Sequence, residues 1–458
     1  MLKNPVVIMA SPPVPGAWTE EITCRSDPEQ RYALYLPAGY TAERAWPTLV
    51  VLDARGRALE AAERFQPAAE RFGWVVASSY GTRSDAGWEP NQRALAAMLP
   101  DLEARVSLDQ NRQVFAGFSG TARIAWGLTL QAPGMIDGVI AASGGTADSR
   151  MPDEAFPVPV FLTAGERDFN LAELRRLAEA LEANGSTFRL ETFDGRHEWM
   201  PEDLATEAVA WMELQAMRRG TRPVDEALVR ELLERRIDHA ERQQQAGRPL
   251  QALETYRSAL RDFPDLASAE ALAPVRRAAR ELETSPELKQ AHAHAIRLAD
   301  REERFQFQVE RAVRRIQREK PPPPAEKIAD ELDLGKLRGQ ADDDSDPLQA
   351  AAASRMLSHA YTHMSFYLPR QLLEADQPWR ALTALEIAHG IFDGLPRTWI
   401  GRARALTRLG RHEDAVEVLA EAVERGLVDA ETLTEEPDFE PLRKREDFQA
   451  LAAADMSS

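Results

Sequence analysis

Residues 113–121 read QVFAGFSGT. The first six form a short apolar run, as in a strand buried on both faces, and a helical pattern follows over 120–132. Between them stands Ser119, with Gly117 before it and the compact pair Gly120-Thr121 after it. That is the setting of a nucleophile elbow, Gly-x-Ser-x-Gly, with Thr121 in place of the last glycine. Small neighbours are needed because strand and helix backbones nearly touch there. The helix N-terminus adds positive potential where an oxyanion would form. Thr121 is larger than glycine, so a slightly more open elbow is expected.

Outward from this point the pattern repeats. Arg31–Leu36, Thr48–Leu52, Trp74–Ser78, Gly138–Ala142, Val158–Thr163 and Thr187–Phe193 read as strands. Helical stretches lie near 57–72, 90–105, 171–184 and 201–218. Such alternation predicts an α/β domain: a mostly parallel sheet with helices on both faces. Serine needs a base within reach. The one histidine in the first 222 residues is His197, just after the last strand, in Phe193-Asp194-Gly195-Arg196-His197-Glu198-Trp199. The strand before it ends in Ala164-Gly165-Glu166-Arg167-Asp168, and an acid there can orient the imidazole. Asp168 is the expected acid and Glu166 the rival. The order Ser119, Asp168, His197 is that of α/β-hydrolases, and each residue follows a strand end on the same sheet edge.

With these residues stand Tyr32–Pro37 and Gly39-Tyr40 (YALYLPAGY), the strand Thr48–Asp53 and the Gly-x-His-x-Trp around His197. Together they make residues 30–218 resemble an α/β-hydrolase domain, most similar to the esterase D, feruloyl-esterase and polyhydroxyalkanoate-depolymerase-like branch. The resemblance implies carboxylic-ester hydrolysis through an acyl-enzyme, with no cofactor. The family pattern has His-Gly after the first core strand, where this chain has Asp53-Ala54-Arg55-Gly56. The oxyanion donors expected are the backbone N–H groups of Gly120 and Arg55. The spacing from Ser119 through Asp168 to His197 leaves little room for an inserted lid. Tyr80 and Trp88, in the loop Ser79–Glu89, and Trp199 are expected to wall a pocket for an aryl or short acyl group.

The chain has 458 residues, 44% hydrophobic and 28% charged, which excludes wholesale disorder. With 56 basic and 74 acidic residues the net charge is −18, which argues against nucleic-acid binding. One cysteine, Cys24, allows no intramolecular disulfide. No run approaches the roughly 20 apolar residues of a membrane span. The N-terminal MLKNPVVIMASPPVPG has too short an apolar core for a secretory signal, so a cytoplasmic location is expected, or export if the true start lies upstream.

From residue 223 onward no strand pattern remains. Leu372, Ala381, Leu385 and Ala388 recur 34 residues later as Leu406, Ala415, Leu419 and Ala422, the period of the tetratricopeptide (TPR) helix–turn–helix unit. The later copy adds Trp399, Ala403 and Leu409-Gly410, and a further copy has Ala240, Gly247, Ala252, Tyr256, Ala259 and Pro264. The expected organisation is an α/β-hydrolase domain at 1–222 and an all-α TPR-like domain at 223–458. A long helix should open at Ser285-Pro286 and end at Pro321–Pro324, with a linker near 321–346. TPR-like arrays offer a groove for a protein or peptide partner. His359 and His363 have the spacing of two ligands on a helix face, but Ala360 stands where a zinc protease needs Glu, so no metal site is expected. A serine carboxylesterase is the leading expectation. Its alternatives are a prolyl-oligopeptidase-type peptidase, although no propeller precedes the domain, and a TPR scaffold with an inactive hydrolase domain.

Overall fold

A computed structural model describes residues 13–84, 87–146 and 151–454. The chain divides into two compact units, Met1–Ala293 and His294–Ser458. The first holds eight strands: β1 (Trp18–Thr23), β2 (Arg31–Tyr35), β3 (Trp46–Leu52), β4 (Val75–Ser79), β5 (Leu108–Phe118), β6 (Gly138–Ala142), β7 (Val160–Gly165) and β8 (Phe188–Phe193). They form one sheet in the order β1-β2-β4-β3-β5-β6-β7-β8. Pairing is antiparallel for β1–β2 and β2–β4 and parallel for all the rest. The parallel strands β3 to β8 therefore end on one common edge. The mostly parallel sheet matches the α/β-hydrolase expectation.

Every residue of β3, β4, β6 and β7 is buried, because helices cover both faces. Alternate residues serve alternate cores. Leu49, Val51, Val114, Ala116, Ile140 and Phe161 face α1 (Ala58–Glu63), α2 (Gln66–Phe72) and, after the other three helices, α6 (Glu202–Arg218). Val50, Leu52, Phe115, Val139, Ala141 and Leu162 face α3 (Trp88–Glu103), α4 (Gly120–Gln131) and α5 (Leu171–Ala183).

The first unit does not end at residue 222. Helices α7 (Glu226–Gln245), α8 (Pro249–Asp262) and α9 (Ala269–Thr284) share the core of α6, through Leu233, Ala240, Tyr256, Phe263 and Val275. α6 is accordingly buried almost all round, from Leu204 to Met217. Charges lock the same packing. Arg189 of β8 donates to Asp262 of α8 at 2.6 and 2.9 Å. Arg236 of α7 pairs with Glu191 of β8 and donates to Ser258 Oγ at 2.6 Å. Glu207 of α6 accepts from both arginines at 3.1 Å.

The helix α10 (Pro286–Arg318) opens at Ser285-Pro286 as expected. The second unit continues with α11 (Ala325–Glu331), α12 (Leu334–Ala341), α13 (Pro347–Thr362), α14 (Leu368–Glu374), α15 (Pro378–Ile391), α16 (Pro396–Arg408), α17 (His412–Glu424), α18 (Ala430–Glu435) and α19 (Glu446–Ala454). A π-helical turn, His363–Tyr367, joins α13 to α14. The stretch expected as a linker contains α11 and α12, because Ile328, Leu332, Leu334 and Leu337 are buried in this unit's core. Three helix–turn–helix junctions share one geometry. Gly247, Asp376 and Gly410 have φ of 69°, 53° and 72°, and five residues after each comes a fully buried alanine, Ala252, Ala381 or Ala415. Among the described residues, no helix is long and apolar enough to cross a membrane. The N-terminal segment read for a leader lies, through residue 12, outside the described residues.

Candidate active site

β5 delivers Ser119 to the sheet edge in a conformation that non-glycine residues avoid, φ 55° and ψ −120°. Such a residue costs on the order of 1–3 kcal/mol and needs surroundings that hold it. Ser119 N–H donates to Ala142 O at 2.8 Å. The elbow is not loosened by Thr121. Its buried hydroxyl accepts from Phe118 N–H at 3.0 Å and also bonds Leu52 O at the end of β3. A Cβ on Gly117 would stand 2.5 Å from Ala122 N, so only glycine fits where strand and helix meet.

Asp168 and His197 come from the connections after β7 and β8. Their loops are stitched together by Glu166 N–H to Phe193 O at 2.8 Å and Arg167 N–H to Gly195 O at 2.9 Å. Asp168 is fully buried, and its Oδ1 accepts from Asn170 N–H at 2.8 Å. His197 Nδ1 lies 3.0 and 3.1 Å from the two carboxylate oxygens, and its Nε2 lies 2.9 Å from Ser119 Oγ. A carboxylate only accepts, so Nδ1 carries the proton and Nε2 presents its lone pair to the serine hydroxyl. Phe118 and Phe169 both pack against the imidazole, with centroids 4.9 and 4.5 Å away, which fixes its plane. The imidazole stays 24% exposed, so it is open to solvent.

Other expected site residues fall differently. Glu166, the rival acid, pairs with Arg248 at the start of α8. Gly120 opens α4, where its N–H has no helical partner. The Arg55 N–H is not available as the second oxyanion donor, because it donates to Asp53 Oδ1 at 2.8 Å. Trp199 is core rather than pocket wall. It is 6% exposed, stacks on Phe118 at 5.6 Å, stands edge-on to Phe65 and donates its indole N–H to Asp53 Oδ2 at 3.0 Å. Tyr80 turns toward the outer strand, its hydroxyl donating to Glu20 O of β1 at 2.8 Å. Trp88 opens α3 and is 36% exposed; its loop includes residues 85–86, outside the described set.

Two contributors were missed from sequence. Phe169 directly follows the acid, and an aromatic in that place was a readable sign. Asp53, fully buried, ends an apolar run and gathers Arg55 N–H, Arg57 N–H at 3.0 Å and the Trp199 indole. Burial would raise its carboxyl, but these hydrogen bonds, with the Arg57 charge, outweigh burial and hold it below the usual carboxylate value. Among the described residues, no group of three or more His, Cys, Asp or Glu could hold a metal ion.

No family model matches the chain, and no curated protein does. Among solved structures it is similar to a ferulic acid esterase, at 15% identity over 43% of this chain and 96% of that one, with a TM-score of 0.36. The substrate-bound fluorophosphonate-binding serine hydrolase F of Staphylococcus aureus is 12% identical over 43% of this chain and 98% of its own, with a TM-score of 0.36. An esterase of Pyrobaculum calidifontis is 15% identical over 45% and 87%, again with a TM-score of 0.36.

Proposed function

We propose that the first unit is a serine hydrolase of the α/β-hydrolase kind, acting on small or aryl carboxylic esters through an acyl-enzyme. One observation carries this reading: Ser119 Oγ, His197 and Asp168 form a continuous hydrogen-bonded line at 2.9 and 3.0 Å. In the first step Ser119 Oγ bonds to the ester carbonyl carbon while its proton passes to His197 Nε2. Asp168 keeps the imidazole oriented and stabilises the cation formed. The carbonyl π pair moves onto oxygen, which the Gly120 N–H faces. Collapse breaks the bond to the alcohol oxygen, and His197 returns the proton to it. Water, deprotonated by His197, then releases the acid and restores Ser119.

The helical repeats are read as TPR-like, offering a surface to a protein or peptide partner. The shared turn geometry at Gly247, Asp376 and Gly410 supports this reading. A fluorophosphonate, which phosphonylates an activated serine, tests the catalytic part. Wild-type protein should gain one adduct, and Ser119→Ala none. A scaffold with an inactive hydrolase domain would leave both unlabelled. Parallel assays on acyl esters, aryl esters and prolyl peptides separate an esterase from a peptidase.

A further inference from the structure

The oxyanion side of the site has one donor in place and one expected donor already used. Asp53 Oδ1 takes the N–H of Arg55 at 2.8 Å and of Arg57 at 3.0 Å, and Asp53 O takes that of Gly56 at 3.3 Å. Three N–H groups of the turn after β3 thus point back to Asp53. The turn after β4 lies over it instead. Ser84 N–H donates to Ala54 O at 2.9 Å, and Thr82 Oγ1 donates to Asp53 O at 2.9 Å. Between them the backbone of Arg83 is clamped by fully buried Asn91, which accepts from Arg83 N–H at 2.8 Å and donates to Arg83 O at 2.7 Å. The Ser84 N–H and the residue before it are therefore both fixed.

What Ser84 touches is Gly120, the residue whose N–H is the first donor. A Cβ built on Gly120 would stand 2.4 Å from Ser84 Cβ, so the two residues are in van der Waals contact and position 120 admits only glycine against this serine. Ser84 is half-buried, and among the described residues its hydroxyl makes no hydrogen bond. We propose that the Ser84 hydroxyl is the second oxyanion donor, and so a catalytic residue. This rests on the serine-hydrolase reading above. As Ser119 Oγ bonds to the carbonyl carbon, the oxygen that receives the π pair accepts both Gly120 N–H and Ser84 O–H. No proton leaves Ser84, and when the tetrahedral adduct collapses the pair returns to the C=O bond. The Asn91 clamp holds the backbone just before this donor, so at that moment the hydroxyl has only to rotate toward the oxygen.

The test uses the full chain with Ser84→Ala and Ser84→Thr, assayed for kcat and KM on a chromogenic acetate ester and for binding of a phenylboronic acid, which forms a tetrahedral adduct with serine. Wild type is also treated with the fluorophosphonate. Ser84→Ala should lower kcat about 10²–10³-fold with KM nearly unchanged, the loss known for one such donor. It should weaken the boronic acid in step, and Ser84→Thr, which keeps the hydroxyl, should recover most of the rate. Ser84→Ala within threefold of wild type, or a loss confined to KM, overturns the proposal. So does a loss that Ser84→Thr fails to recover while both variants melt like wild type. A wild-type protein that neither labels nor hydrolyses the ester refutes the hydrolase reading itself, and this proposal with it.

Discussion

Replacing Asp262 by alanine should destabilise the first unit strongly, although Asp262 lies on a helix that the sequence pattern assigns to the repeats. Asp262 and Arg189 are only 2% and 5% exposed at their side chains. Removing one member of a buried pair leaves the other desolvated and short of a partner, a loss of about 3–5 kcal/mol. Arg189 keeps Glu207 at 3.1 Å, which places the cost toward the lower figure. Whole domains are stable by only about 5–15 kcal/mol, so the loss is a large fraction. Tryptophan fluorescence in urea reads it well, since seven of the nine tryptophans fall in the first unit. With a slope of about 3 kcal/mol per molar urea, the midpoint should fall by roughly 1 M. The double replacement Arg189→Met with Asp262→Leu removes both charges and should restore most of the loss. A midpoint for Asp262→Ala within about 0.2 M of wild type would refute the claim that α7 and α8 are built into this unit's core.

Truncation follows the same reasoning. A chain ending at 222 exposes the α6 face that α7–α9 cover and strands Arg189 and Glu191, so it should aggregate, whereas one ending at 293 should give a cooperative melt and keep ester turnover. A soluble, active 1–222 fragment would contradict this. In the second unit, burial and the neighbouring His363 hold His359 down to about 3, and burial also lowers His363 and His389. A histidine lowered from its unfolded value of about 6.5 contributes stability that is full above that pH and is lost as pH falls toward the folded value. Thermal melts of the full chain should show the second unit weakening between pH 7 and 5, less so with His359→Gln; pH-independent melting over that range would be the contrary result.

Much of the candidate site is legible in the sequence, for a local reason. Ser119, Asp168 and His197 each follow a strand, and strand order with edge position is carried by short-range patterning. Arg55 failed at equally short range, because an acid two residues before an N–H can capture it, and Asp53 does. Trp199 failed because proximity to His197 in sequence does not say which side of the sheet edge a ring takes. The strand β1 escaped because it is an edge strand without an apolar run. The unit boundary was the deepest miss, yet two signs existed. α6 carries apolar residues on every face, and β8 alternates Phe188 and Leu190 with Arg189 and Glu191, which looks like a solvated face. Both charged residues are buried, because Arg236 and Asp262 arrive from α7 and α8 to meet them. Contacts between residues 45 and 73 apart leave no trace in periodicity.

The most direct test of the central claim is the turnover number of Ser119→Ala on a chromogenic acetate ester, beside wild type and at matched circular dichroism. Loss of all but the uncatalysed rate is the predicted result. A variant that keeps more than a few per cent of wild-type turnover would contradict Ser119 as the nucleophile, and with it the reading of the whole site.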